Sequence, residues 1–508
     1  MGNKQSSMPA KTDILVIGGG INGVGIARDA AGRGLGVVLC EKDDLAQHTS
    51  SSSTKLIHGG LRYLEHYDFL LVRHALQERE ILLKSAPHII WPLRFILPHH
   101  RSLRPRWLIR LGLFLYDHIG GRKILPASNG VDLGRHIAGA ALKPEFTHGF
   151  EYSDCWVQDA RLVVLNARDA QRRGATILTR TKCTSIRRRQ DHWLVDLMDC
   201  RTGQVSNIQA KTLVNASGPW VKQTLELGTS TGTDKNVRLV KGSHIVVPKL
   251  FDHDYPYIFQ NADGRVMFAI PYEQDFTLLG TTDIEIDVDP DDVFITDKEI
   301  SYICDAINEY LEQPVKSEDI VWSYSGVRPL FDDESQNASK VTREYVLQLD
   351  QKGPPILSVF GGKITTYRKL SEQVVDLLKK PMAFDAPAWT STSTLPGGDL
   401  ENSDFGQFLA TCQKRYAWLD DSLLYDYARN YGTEIEILLE GCAGTEDLGE
   451  SFGGGLFACE VNYLMTHEWA EEADDVIWRR SKRGLRMPAG ADSKLQAWMD
   501  RRNADRVA

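Results

Sequence analysis

Asp13-Ile14-Leu15-Val16-Ile17-Gly18-Gly19-Gly20-Ile21-Asn22-Gly23 is the stretch that decides the fold. Its first five residues, apolar and largely β-branched, read as a buried parallel strand. The glycines that follow carry the G-x-G-x-x-G spacing. Gly18 permits a tight turn, Gly20 lets backbone N–H groups approach a pyrophosphate, and Gly23 lets the next helix pack on the strand. A helical pattern runs to Arg33, Gly34 stops it, and Gly36–Cys40 forms a second buried strand ending at Glu41. Strand, helix and strand make one βαβ unit, with the positive end of the helix facing the phosphates. Glu41 stands where an acid accepts hydrogen bonds from an adenosine ribose. The unit predicts a dinucleotide site.

Outward from it, the pattern divides the chain. Residues 1–12 read as a flexible tail. Residues 13–390 read as a Rossmann-like α/β nucleotide-binding domain (about 13–90, 150–225 and 355–385). Interleaved with it is a substrate domain on a mixed or antiparallel sheet (about 91–149 and 226–354), where alternating β-branched runs dominate. After the Leu395-Pro396-Gly397-Gly398 breaker, charged, Trp-bearing helical segments predict an all-α C-terminal domain over 391–508.

The 508 residues carry a net charge of −9, which argues against a nucleic-acid partner. Eight scattered cysteines without a Cys-x-x-Cys pair read as reduced thiols of a cytoplasmic protein. No secretory signal precedes the first strand, and no uninterrupted apolar run is long enough to span a bilayer. No metal-ligand spacing is present; His467-Glu468 lacks the second histidine of an H-E-x-x-H motif.

Three later features predict that the dinucleotide is FAD. The hydroxyl loop Thr49–Thr54, with Thr49, Ser50 and Thr54, follows the second strand and runs on into Lys55, His58 and Gly59. Gly218, in Ser217-Gly218-Pro219-Trp220, follows another core strand where backbone passes close to a cofactor. Gly361-Gly362-Lys363 opens a late helix and aims N–H groups and an ammonium at one point, as stabilisation of a reduced flavin requires.

The runs TSSSSTKLIHGGLRYLEHYDF, EYSDCWVQDARLV, KGSHIVVP, SGVRPL and LSVFGGKITTYRKL resemble the FAD-dependent glycerol-3-phosphate dehydrogenases of bacterial type. They lie within the wider glycine- and D-amino-acid-oxidase-like superfamily. The resemblance covers essentially residues 13–490. It implies oxidation of sn-glycerol 3-phosphate to dihydroxyacetone phosphate, with electrons passed through FAD to a membrane quinone. It also places Arg328 at the substrate phosphate, with Arg62 and Tyr63 lining the same pocket. Arginine forks suit a phosphate dianion. For the proton of the alcohol, His244 on its apolar strand is the expected acceptor. His58 is its rival, and Lys363 is expected to stabilise flavin charge.

The stretch 94–123 carries seven Lys or Arg against the single acid Asp117, interleaved with Trp107, Leu111 and Phe114. Such a basic, aromatic helix suits a membrane surface, so the chain is expected at the cytoplasmic face of the membrane as a peripheral protein. Other readings stay open: an oxygen-using oxidase of the same phosphate, an amine or amino-acid oxidase, or a non-catalytic flavin-binding scaffold. Assembly into a homo-oligomer is also left open.

Overall fold

The strand Lys11–Ile17 lies inside an eight-stranded sheet, parallel to Val37–Cys40 on one side and to Val205–Asn215 on the other. The computed structural model describes residues 8–101, 103–228, 237–261, 263–331 and 345–507. Of the tail expected over 1–12, residues 1–7 lie outside the described residues, while Lys11 and Thr12 already pair with Gln209 and Ala210. Thr176–Leu178 extends the parallel sheet beyond Val37–Cys40, and Ile356–Phe360 extends it beyond Val205–Asn215.

Both faces of this sheet are buried, which explains its continuous apolar strands. Ile14 and Val16 pack under the helices Ile21–Gly32, Asp159–Arg172 and Tyr367–Met382. Leu15 and Ile17 face the opposite cluster, with Trp193, Leu213 and Phe360. The hairpin Thr181–Arg188 and Trp193–Asp199 covers that side and pairs with the first half of Val205–Asn215.

The second sheet has ten strands and is mostly antiparallel. The long strand Val237–Pro248 runs beside Trp322–Phe331 in unbroken register from Val237↔Phe331 to Val246↔Trp322. One face packs on the helix Asp297–Asn308 through Ile303 and Ile307. The other packs on the helices Phe69–Ser85 and Arg106–Ile119 through Val72, Leu76, Leu113 and Tyr116.

The interleaving is present, with different boundaries from those expected. His148–Val157 pairs along its whole length with Ile90–Pro98, and Leu56–Ile57 pairs with it in turn, so both belong to the second sheet. Val346–Asp350, expected in the substrate sheet, instead folds back on Ile356–Phe360 and edges the first. Long-range register, invisible to local periodicity, decides these memberships.

The C-terminal part has its own core around Leu424, Tyr427, Val461, Leu464 and Leu495. It is not purely helical: glycines 453–455, all at positive φ, turn the short hairpin Ser451–Gly453 and Leu456–Phe457. Buried ion pairs dock it on the body. Arg480 meets Asp44, Arg180 meets Asp475, and Arg161 meets Glu468. All eight cysteines are free.

Candidate active site

At the glycine turn Gly18 has φ +111°, and a Cβ there would stand 2.5 Å from the Ala216 carbonyl oxygen. Gly23 does not face the opening; its missing side chain is what lets the helix approach Gly18. Ser50 Oγ accepts from the Ile21 N–H at 3.0 Å, tying the hydroxyl loop to the helix N-terminus. Thr49 Oγ1 donates to the Val327 carbonyl at 2.7 Å, tying the same loop to the strand that carries Arg328. Glu41 accepts from the Gly19 N–H at 2.6 Å and the Asp43 N–H at 3.0 Å. Burial raises its carboxyl above the usual value, although those two donors pull it down.

These groups open on a cavity of about 580 Å³. Gly18, Gly20, Glu41, Thr49, Ser50 and Thr54 line it, as expected. His58, Tyr63, Gly218 and Arg328 line it too, as do Gly361, Gly362 and Lys363. Asn22 Nδ2 donates to the Gly361 carbonyl at 3.3 Å, so the late turn is fastened to the first helix across most of the sequence. A Cβ on Gly362 would meet that Asn22 amide at 2.8 Å.

Arg328 and Lys363 are among the cations that line the cavity. Arg328 is aimed by Asp283, by the Thr282 carbonyl at 3.4 Å and by Thr281 Oγ1 at 3.1 Å. It lies over Gly242, where a Cβ would stand 2.3 Å from its Nη2. Lys363 holds its ammonium 3.9 Å from the centre of the Tyr63 ring.

Besides Gly23, four expected site residues do not line the cavity. Lys55 is fully buried, with Nζ donating to both Asp159 oxygens and to the Ser51 carbonyl, all at 3.0 Å. It braces the hydroxyl loop from behind. Gly59 gives its N–H to Tyr116 Oη at 2.8 Å and packs against Leu76. Arg62 is half-buried and is not among the cavity's lining residues. His244 is also fully enclosed; its Nε2 lies 3.0 Å from Oγ1 of Thr54, which lines the cavity. Burial, then the Arg328 and Lys55 charges, push its pKa well down and keep the ring neutral. An alternation of apolar neighbours located the strand but not which wall of the sheet met the opening.

Sequence reasoning missed a clasp at the mouth. Lys42 holds its ammonium 4.0 Å from the centre of the Trp220 ring and pairs with Asp291 at 2.7 Å, and both partners line the cavity. The partners are far apart in the chain, and each alone reads as a surface charge.

The described geometry is thus a nucleotide turn continuous with a cationic pocket. A model of the family "FAD dependent oxidoreductase" matches residues 13–368. The chain belongs to that family. FAD is its cofactor, and the glycines that no Cβ could replace, the Glu41 carboxylate and the hydroxyl loop fit such a group. The chain is 51% identical over 489 residues to the aerobic glycerol-3-phosphate dehydrogenase of Escherichia coli, covering 96% of this chain and 97% of that one. It is 50% identical over 501 residues to the D-erythritol 1-phosphate dehydrogenase of Brucella abortus, covering 98% and 99%. The structure of the Bacillus halodurans glycerol-3-phosphate dehydrogenase complexed with FAD superposes with a TM-score of 0.74 at 28% identity, covering 93% of this chain and 86% of that one. As an FAD-dependent dehydrogenase, the chain would hold its cofactor on the first sheet's glycine turn.

Proposed function

We propose that this protein oxidises sn-glycerol 3-phosphate to dihydroxyacetone phosphate and passes the electrons to a membrane quinone. The observation that carries this reading is the meeting of Arg328, Lys363 and Tyr63 on the cavity that the glycine turn opens. Arg328 offers a planar fork to phosphate oxygens, and its backing by Asp283 and Thr281 fixes the fork's direction. Lys363 adds a point charge on the same cavity. Bound FAD supplies the two-electron acceptor that alcohol oxidation needs. His58, which faces the cavity, is the proton acceptor in this reading. His244 Nε2 shares a hydrogen bond with the Thr54 hydroxyl and so orients that side chain.

The helix Arg106–Ile119 supports attachment to a membrane. Its inner side buries Leu113 and Tyr116, while Trp107, Leu111 and Phe114 stand out at 69%, 47% and 50% exposure. Tyr67 and Leu70 are exposed near by, on segments packed against the same helix. Arg106 flanks the apolar stripe. Among the described residues no helix is long and apolar enough to cross a membrane, so the attachment is to one leaflet, where a quinone is reached.

The likeness to the D-erythritol 1-phosphate dehydrogenase favours a second reading with the same chemistry, a longer phosphorylated polyol. Anaerobic mixing of the purified holoprotein with each phosphate decides between them. Bleaching of the oxidised-flavin absorbance by glycerol 3-phosphate at lower concentration supports the first reading. Preference for the four-carbon phosphate selects the second, and bleaching by neither rejects both. Rapid reoxidation by oxygen with stoichiometric peroxide would remove the quinone from the scheme.

A further inference from the structure

Behind the cavity wall four rings stand in file. Trp478, from the C-terminal part, stacks on Trp322 with centroids 4.6 Å apart and planes 9° apart. Trp322 lies against Tyr324 at 5.0 Å, and Tyr324 stacks on His244 at 4.9 Å and 17°. The last contact is a cross-strand pair, since His244 and Tyr324 are register partners. His244 Nε2 then meets Thr54 Oγ1, which faces the cavity.

The strand Trp322–Phe331 makes this file consequential. Side chains two apart on a strand share a face, so Trp322, Tyr324 and Arg328 all stand on one side of it. A Cβ on Gly326, between them, would meet Ser52 of the hydroxyl loop at 2.6 Å. Tyr324 is also held at its far end, where Oη donates to the Ser53 carbonyl at 2.8 Å. Lys55 Nζ lies 4.9 Å from the centre of its ring. From the C-terminal side, Lys482 donates to the Trp478 carbonyl and stands 5.7 Å from the Trp322 ring. The hydroxyl loop, the substrate strand and the C-terminal part therefore converge on Tyr324.

We propose that Trp478 is a positioning residue of the oxidation site. Through Trp322 and Tyr324 it sets the angle of His244 behind Thr54 and the seating of the strand that aims Arg328. This gives the C-terminal part a task in the reaction, although none of its residues lines the cavity. Flat rings at stacking distance transmit position because they cannot shrink or rotate without losing contact. The inference rests on the reading of the cavity as an alcohol-oxidation site.

The test compares Trp478→Ala, Trp478→Phe and Trp498→Ala in the FAD-loaded protein. Trp498 packs on Phe452 inside the C-terminal core, away from the file, and controls for general loosening. For Trp478→Ala, flavin reduction by glycerol 3-phosphate should slow by about tenfold or more, the scale expected of a slightly displaced site. Its FAD content should stay at the wild-type level. Trp478→Phe should restore most of the rate, and Trp498→Ala should lower the melting temperature but leave the rate of flavin reduction at the wild-type level. Equal rates for Trp478→Ala and wild type would overturn the proposal, as would equal slowing in Trp498→Ala. If Trp478→Ala yields no folded holoprotein, Trp478→Leu takes its place, keeping apolar volume without a stacking face. Visible circular dichroism of the bound flavin separates the two levels of inference. A wild type that no phosphate bleaches fails the functional reading alone. An unchanged flavin dichroism in Trp478→Ala then overturns the positioning role independently.

Discussion

Arg480 grips Asp44 with two parallel hydrogen bonds, Nη1 to Oδ2 at 2.6 Å and Nη2 to Oδ1 at 2.7 Å, and both side chains are shut away from water. Arg479 adds a third bond to the same carboxylate at 2.6 Å. Asp44 lies in the loop after the second strand, so this clamp joins the C-terminal part to the segment that follows Glu41. Asp44→Ala leaves buried guanidinium charge uncompensated and should cost about 3–5 kcal/mol, read as a lower denaturation midpoint.

The same clamp predicts a pH dependence. Burial raises the Asp44 carboxyl, but the charges and hydrogen bonds of Arg480 and Arg479 outweigh it and hold the folded-state pKa below the usual value. A depressed folded pKa contributes stability that is fully present above the unfolded value of about 3.9 and is lost as pH falls through the folded one. Urea midpoints measured from neutral to acid pH should therefore fall below about pH 4, and less steeply in Asp44→Asn. Parallel curves for the two proteins would refute the assignment.

Gly23 stands so near Gly18 that a Cβ on it would lie 1.9 Å from the Gly18 carbonyl oxygen. Gly23→Ala should push the helix off the strand, at about 1–3 kcal/mol for such overpacking. Because the helix N-terminus faces the cavity, FAD content after purification should drop with it. Full FAD occupancy in this variant would show that the close approach is dispensable.

Arg328→Ala should raise the KM for the phosphate substrate by about 10- to 100-fold, the scale of losing charged hydrogen bonds worth about 1.5–3 kcal/mol. FAD should stay bound. Arg328→Lys should recover only part of the loss, since an ammonium keeps the charge without the fork. An unaltered KM in Arg328→Ala, checked by steady-state kinetics, would take the phosphate off this residue.

Trp107→Ala with Phe114→Ala should move the protein from sedimenting vesicles to the supernatant. Each large side chain contributes about 1.5–3 kcal/mol when buried from water, so the partition coefficient should fall by more than tenfold. Arg106→Glu should weaken binding only to anionic vesicles, and salt should mask it. Arg110, on the same helix, is a weaker choice. Its Nη1 donates to the Ser128 carbonyl at 2.9 Å and to Ser128 Oγ at 2.8 Å, which commits that side chain to its own protein.

The sequence by itself determined the glycine turn, the strand before it and Glu41 beyond it, because each is fixed by neighbours a few residues away. It determined the hydroxyl loop and the late Gly361-Gly362-Lys363 turn for the same reason, and their order along the chain pointed to FAD. Only the tertiary structure decided which of the candidates meet. Lys55 and His244 sit in suitable motifs, yet one braces a loop from behind and the other stands one side chain back from the cavity. Local pattern says that a strand is buried, but not which neighbour buries it; that follows from register across hundreds of residues. The Lys42–Asp291 clasp and the file from Trp478 to His244 arise in the same way, from contacts between segments whose proximity no local periodicity encodes.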